Sequence, residues 1–379
     1  MNLAIITNIR SPYRKLQIEE FTKIPNININ VYYTNKNILG RKWNVEPIKN
    51  ADETVLKGFK MFKKFGYINL GLFDIVKKND LIIIGGYEQP TYILLSLLCR
   101  LYKKPYIIIF DGISPKKVDE AENPAKFLLK SLVIKHANSI FGNGTVSKLY
   151  FSKKFNYNPD NIFNQYLTVD IDKIVDLGKQ KEVLRKEIRK KLNIDNDKKV
   201  IIYSGRLIKR KKVDSIIKAI NILDNNESYI LLILGDGEEK ENLLNLAKEI
   251  NVNLKITGFI SNQEQLFKHY FVGDVLILPS NNEPWGLVVN EAMAAGLAVI
   301  VSDECGCSLD LVRDGENGFV IHAGDVKNIA NAIKDIFKND NYIKFGERSK
   351  EIIGKWKFED SRSSFEKMLY KILHDKGEN

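Results

Sequence analysis

The sequence predicts an α/β protein made of two parallel-sheet domains in tandem. Three observations carry this. A chain of 379 residues is too long for one ordinary hydrophobic core and about right for two domains. Short, near-continuous apolar runs alternate with helical patterns, as in parallel sheets covered on both faces. A polar break between about residues 164 and 198 divides the runs into two sets.

The first set of predicted strands is 3–7, 29–33, 81–84, 106–110 and 139–141, each rich in Ile, Leu, Tyr or Phe. The break holds the charged, helix-like stretch 179–191 and then Asp195-Asn196-Asp197. The second set is 199–203, 230–234, 254–257, 275–278, 298–301 and 318–320. Helical periodicity marks 214–223, 239–250 and 289–295 between them. The predicted domains are therefore 1–170 and 171–355, with 356–379 a helix returning to the first domain. Ligands of such sheets bind beyond the carboxyl ends of the strands, and facing domains turn those edges into one cleft.

Composition excludes several classes. Hydrophobic residues are 44% and charged residues 28%, as in soluble globular proteins. The opening residues read as a buried strand rather than a leader, and no apolar run approaches the roughly 20 residues of a membrane span. Cys99, Cys305 and Cys307 make neither a disulfide framework nor zinc spacing, so a reducing, cytoplasmic setting is expected. The net charge of +11 sits in the first half. Residues 1–170 hold 25 Lys and Arg against 14 Asp and Glu, and residues 171–379 hold 33 of each. A basic half suits an anionic surface or substrate. There is no basic recognition helix, RNP motif or zinc finger, so nucleic acid is not expected as a partner.

Two segments carry the chemistry. The first runs from Pro279 through Glu283, Trp285, Gly286 and Glu291 to Gly296, and opens a helix behind a strand. Amides at a helix start are unpaired and partly positive, so they suit a diphosphate. Glu283 and Glu291 are eight residues apart, on the order of 12 Å along a helix. That span reaches from a sugar past a diphosphate to a ribose, and carboxylates accept from vicinal hydroxyls. Gly286 permits close backbone approach. The second segment is Tyr203-Ser-Gly205-Arg206-Leu-Ile-Lys-Arg-Lys211-Lys-Val-Asp214. Arg206 and Lys211 can point at the same strand edge and neutralise a departing diphosphate, whereas Lys209, Arg210 and Lys212 read as a solvated loop.

Together these segments resemble the GT4 family of retaining glycosyltransferases. The family pattern joins G-R-L-x-x-x-K to E-x7-E. Here Gly205, Arg206, Leu207 and Lys211 supply the first part, and Glu283, Gly286, Glu291, Ala292, Met293, Ala294 and Gly296 the second. Trp285 stands where Phe is usual, and Lys212 where the family has Gly. The likeness covers about 200–325, including Gly235-Asp236-Gly237, Thr257-Gly258 and Asn317-Gly318.

It implies a GT-B fold, two Rossmann-like domains facing a central cleft, and a metal-independent reaction with no cofactor. A sugar would pass, with retained configuration, from a nucleoside-diphosphate-sugar to a saccharide or lipid-linked saccharide acceptor, as in capsule or O-antigen assembly. Arg206 and Lys211 would bind the diphosphate, Glu283 the sugar hydroxyls and Glu291 the ribose. The amides of Trp285, Gly286 and Leu287 would meet sugar and phosphate. In the first domain the family's Gly-Gly loop is replaced by Asn8-Ile-Arg10-Ser-Pro12-Tyr-Arg14, where Arg10 or Arg14 could meet phosphate or an anionic acceptor. Asp111 stands where members often place a catalytic His, or else caps a turn. Two rivals, a nucleotide-sugar epimerase and a non-catalytic donor-binding scaffold, fit the intact Arg206, Lys211 and Glu283 less well.

Other signals read as weak. Asp195-Asn196-Asp197 imitates a metal-binding DxD but reads as a turn. Gly235-Asp236-Gly237 lacks the third glycine of a dinucleotide loop. His136, His269, His322 and His374 share no ligand spacing. Cys305-Gly-Cys307 reads as a loop after a strand, and Asn143-Gly-Thr145 as an idle sequon. The segment from Lys57 to Phe65 interleaves Lys57, Lys60, Lys63 and Lys64 with Phe and Met. It reads either as contact with an anionic membrane surface or as a basic helix whose aromatics enter the core.

Overall fold

The computed structural model describes residues 1–35, 45–62 and 66–374. The chain divides into two compact units. One takes Met1–Gly112, Lys117–Leu167 and the chain from Phe358 on; the other takes Ile113–Lys116 and Thr168–Lys357.

The first unit is built on β1 (Asn2–Thr7), β2 (Asn28–Tyr33), β3 (Asp52–Val55), β6 (Leu81–Ile84), β7 (Tyr106–Phe110), β8 (Ser139–Gly142) and β9 (Ile162–Asn164). They form one parallel sheet in the order β3-β2-β1-β6-β7-β8-β9. The order reverses beside β1, whose neighbours are β2 and β6. The apolar runs of β1, β6 and β7 are buried because helices cover both faces. A separate antiparallel hairpin joins β4 (Gly58–Phe62) to β5 (Gly66–Asn69). The stretch expected as a helix from Lys57 is therefore a strand. Gly58 permits the close pairing, because a Cβ there would stand 2.6 Å from the Ile68 carbonyl across the pair. Phe59 is exposed. Lys63, Lys64 and Phe65 lie outside the described residues.

The helix Phe358–His374 completes this unit's core. Phe365 stacks on Phe21 with centroids 4.3 Å apart and leans on Phe141 at 5.5 Å. Met368, Leu369 and Ile372 enter the same cluster. Polar contacts fix the docking: Gln17 donates to Ser361 Oγ at 2.8 Å, and Arg362 to Glu20 at 2.6 Å.

The second unit holds β10 (Lys199–Ser204), β11 (Tyr229–Leu234), β12 (Leu254–Ile256), β13 (Val275–Leu278), β14 (Ala298–Ser302) and β15 (Gly318–Ile321). Their order is β12-β11-β10-β13-β14-β15, all parallel. Here the reversal falls at β10, between β11 and β13. Helices Val213–Asn221, Lys240–Glu249 and Leu287–Ala294 replace the three expected ranges with ends shifted by one or two residues. The Asp195-Asn196-Asp197 segment is a turn closed on the buried guanidinium of Arg189, which donates to the Asp195 and Asn196 carbonyls at 3.2 and 3.0 Å. Among the described residues no helix is long and apolar enough to cross a membrane.

The docking of the last helix yields a stability prediction. Phe365→Ala should lower the unfolding free energy by about 3–5 kcal/mol, as truncation of a buried aromatic does. Leu373→Ala, half-exposed on the same helix, should cost under about 0.5 kcal/mol. Urea unfolding followed by tryptophan-independent far-UV dichroism reads both.

Candidate donor site and first-unit loop cluster

In the second unit, the two sequence segments leave adjacent strands, β10 and β13, on the side where the strand order reverses. After β10 the chain turns at Gly205, φ +142°, and makes a single turn over Lys209–Lys211. Lys212 then takes the left-handed conformation, φ 53°, to start the next helix. Glycine is the family residue at this position, and the positive φ is the reason. The loop after β11 packs tightly here. A Cβ on Gly235 would stand 1.9 Å from the Gly205 carbonyl, and one on Gly237 2.3 Å from that of Leu207. Gly235-Asp236-Gly237 thus serves loop packing, and Asp236 carbonyl accepts from the Leu207 amide at 2.9 Å.

Lys211 forms an ion pair with Glu283. Both side chains are largely buried, so each charge depends on the other. Arg210 joins them: its guanidinium lies 3.4 Å from Glu283 Oε2 and donates to the Asn282 carbonyl at 3.3 Å. Its own carbonyl accepts from the Asn281 amide at 2.8 Å. Reading Arg210 as merely solvated is therefore corrected, since it ties the two loops together. Arg206 is exposed and has no side-chain hydrogen bond or ion pair among the described residues.

The helix Leu287–Ala294 begins behind Gly286, φ +96°. A Cβ at Gly286 would stand 2.8 Å from Leu278 and 2.9 Å from Cys305 Sγ. The amides of Trp285, Gly286 and Leu287 donate to no group among the described residues. The carbonyl of Trp285, by contrast, is taken by the Cys307 amide at 3.2 Å and the Cys305 thiol at 2.8 Å. The Trp285 ring is buried, stacks on Trp356 at 5.4 Å, and donates to Asn290 at 3.0 Å. It anchors the helix start and presents no face to a ligand. Its backbone is the part that reaches the site.

Glu291 lies about one turn into the same helix and is buried. Burial pushes its carboxyl up to about 7, against the opposing effect of a 2.6 Å hydrogen bond from the Tyr270 hydroxyl. Tyr270 was invisible to sequence reasoning, because nothing in its helix Gln263–Tyr270 distinguishes it from a core tyrosine. Cys305 and Cys307 are buried thiols 3.5 Å apart, and burial holds Cys307 well above the usual thiol range. They shape the loop and are not reactive groups.

The first-unit candidates sit beyond the ends of β1 and β7. Asp111 follows β7, and its carboxylate accepts from Arg14 and, at 2.8 Å, from the Tyr13 hydroxyl. It is half-exposed and takes side-chain donors rather than a turn amide. Arg14 is buried and also meets Gln17 and Gln165, the latter at 3.2 Å. Arg10 is spoken for elsewhere. Its guanidinium makes two 2.9 Å bonds to Glu53 and one of 3.1 Å to the Val45 carbonyl. Arg10 is thus a brace between loop and strand β3, which sequence could not show because β3 was not foreseen. Among the described residues no group of three His, Cys, Asp or Glu side chains is placed to hold a metal ion.

Residues 185–353 match the family model described as Glycosyl transferases group 1. N-acetyl-alpha-D-glucosaminyl L-malate synthase of Bacillus anthracis is 26% identical over 191 residues, 50% of each chain. The lipopolysaccharide core biosynthesis glycosyltransferase LpsE of Rhizobium meliloti is 31% identical over 183 residues, 48% of this chain and 52% of that one. The chain spans about half the length of these curated relatives. The structure of HepE from Anabaena in complex with UDP superposes with a TM-score of 0.76 at 14% identity, covering 98% of this chain and all of that one. Residues 185–353 are thus similar to the group 1 glycosyl transferases, and the chain has the GT-B fold, two parallel-sheet α/β domains.

Proposed function

We propose that this protein is a retaining, metal-independent glycosyltransferase of the GT4 type. It transfers a sugar from a nucleoside-diphosphate-sugar to a saccharide acceptor, lipid-linked, in the assembly of a cell-surface polysaccharide such as capsule or O-antigen. The peripheral membrane location of such an acceptor belongs to the same reading. One observation supports it above others: Lys211 and Glu283 are paired beside a helix start with free amides, and Glu291 stands eight residues on. HepE, similar in fold, was also captured with UDP-glucose, so uridine is the first base to test.

Each group then has a task. The amides of Trp285, Gly286 and Leu287 hold the diphosphate. Lys211 and the exposed Arg206 neutralise it as the bond from the anomeric carbon to the phosphate oxygen breaks. Glu283 accepts from sugar hydroxyls, and Glu291 from the ribose. The acceptor oxygen bonds to the anomeric carbon on the face the phosphate leaves, and its proton passes to a phosphate oxygen. No side chain need act as general base. Asp111, oriented by Arg14 and Tyr13, is the first unit's candidate for the place where members often carry a catalytic His.

Three outcomes test this reading. Lys211→Ala should reduce kcat/KM by about 10²–10³-fold, as loss of one oxyanion donor does, while Lys209→Ala should change it little. Equal losses would mean that the loop is only a basic patch. Transfer should persist in excess chelator; loss on chelation with recovery on adding manganese would refute metal independence. Binding of UDP, measured by calorimetry, should strengthen as pH rises from 5 through 7, because the ribose needs the ionised Glu291. The raised carboxyl has the opposite effect on folding. The native state holds that proton more tightly than the unfolded chain, so stability falls as pH rises from about 4.5 to 7. Glu291→Gln should remove both slopes, and an unchanged binding slope would sink the assignment of Glu291.

A further inference from the structure

The helices Leu72–Lys78, Pro90–Leu101 and Pro124–Ile134 of the first unit pack side by side over the parallel sheet. A covering helix buries one face and turns a polar face to water. Two of these do not. On Pro90–Leu101 the inner face buries Tyr92, Leu95 and Cys99, yet Leu94, Leu97 and Leu101 form an outward stripe at i, i+3 and i+7. On its neighbour, Leu128, Leu129 and Leu132 also face outward. These six leucines are 38 to 72% exposed. Phe73 extends the surface, edge-on to Tyr102 at 5.2 Å. Scattered exposed leucines need no explanation, but six on two adjacent helices form a patch.

Charge says what covers it. Each of the three helices runs into the start of a neighbouring strand, β6, β7 or β8, so their carboxyl ends align along one edge of the sheet. Lys77 and Lys78, Arg100 and Lys103, and Lys135 stand there, all exposed. Lys77 also lies 4.4 Å from the Phe73 ring centre, with its ammonium beside the patch. Lys126 is engaged by Glu88 at 3.4 Å and Lys130 is buried, so neither contributes. Asp74 sits in the first turn of its helix, away from the row. A second copy seated on this face would cover the leucines but supply no anionic row to match the cations. An anionic lipid surface accommodates both the leucines and the cations.

We propose that this leucine face is a membrane-docking surface, with the leucines entering the interface of an anionic bilayer and the lysine row contacting its headgroups. It deepens the reading of a lipid-linked acceptor by naming where the chain meets the lipid. It also moves that contact from the Lys57 hairpin to the helical layer.

The test is co-sedimentation of the full chain with vesicles of phosphatidylcholine alone or mixed equally with phosphatidylglycerol. Wild type should bind the anionic vesicles at low salt and release them at high salt. The triple variant L97E/L101E/L129E and the double variant K103E/K135E should each lose about tenfold or more in partitioning. All these side chains are exposed, and an unchanged melting temperature checks the fold. Failure of wild type to bind anionic vesicles at low salt would overturn the proposal. So would wild-type binding by the triple variant, which would return the contact to the hairpin. A mass that doubles with concentration and is abolished by L97E/L101E/L129E would instead make the face a self-association surface. A melting shift on UDP addition, read in parallel, reports the donor site separately from the docking surface, so either reading can fail without the other.

Discussion

The second unit's site depends on a set of backbone contacts between two loops, those leaving β13 and β14. The Glu283 amide donates to the Glu304 carbonyl at 3.1 Å, and the Gly306 amide returns a 2.9 Å bond to Glu283. The Cys307 amide takes Trp285, and Asn282 donates to the Glu304 carboxylate at 2.8 Å. At Gly306 a Cβ would lie 1.9 Å from the Pro284 carbonyl, so no side chain fits. This lacing spends the carbonyls of the loop and leaves the amides of the helix start unused. Donor groups left free are thereby held still by neighbours that are not.

The two glutamates on this segment are held in opposite ways. Glu283 lies among cations, with Lys211 in contact and Arg210 at the edge. Glu291 has no cation beside it among the described residues and is buried with a tyrosine, so burial pushes its carboxyl up to about 7. Sites that separate paired carboxylates by environment in this way give each a distinct response to an arriving hydroxyl or phosphate.

Sequence showed most of this, for physical reasons. Strands such as β6, β7 and β13 are continuous apolar runs, and their bounds coincide with the expected ones. The meeting of the Lys211 and Glu283 segments at one sheet edge was expected from two motifs at strand ends, because parallel topology brings such ends together, but their ion pair was not foreseen. What stayed hidden was tertiary. β3, Asp52–Val55, has no apolar pattern and exists through its pairing with β2, so the bond of Arg10 to Glu53 could not be foreseen. The hairpin at Gly58 interleaves Lys with aromatics, a pattern that fits strand or helix until a partner strand chooses. Tyr270 and Arg210 carry no local mark of their roles, since burial beside a carboxylate is set by distant chain.

The helix Phe358–His374 belongs to the unit that begins at Met1, although the whole of the other unit intervenes. On the ribosome, residues emerge in order, and domains fold as their chain becomes available. Phe21 and Phe141 therefore wait for Phe365 until the whole of the other unit has been made, while Thr168–Lys357 already has all its strands. The unit synthesised first is the last to close its core. Until then the apolar groove that this helix fills is open to solvent, the interval in which a nascent chain most needs a chaperone.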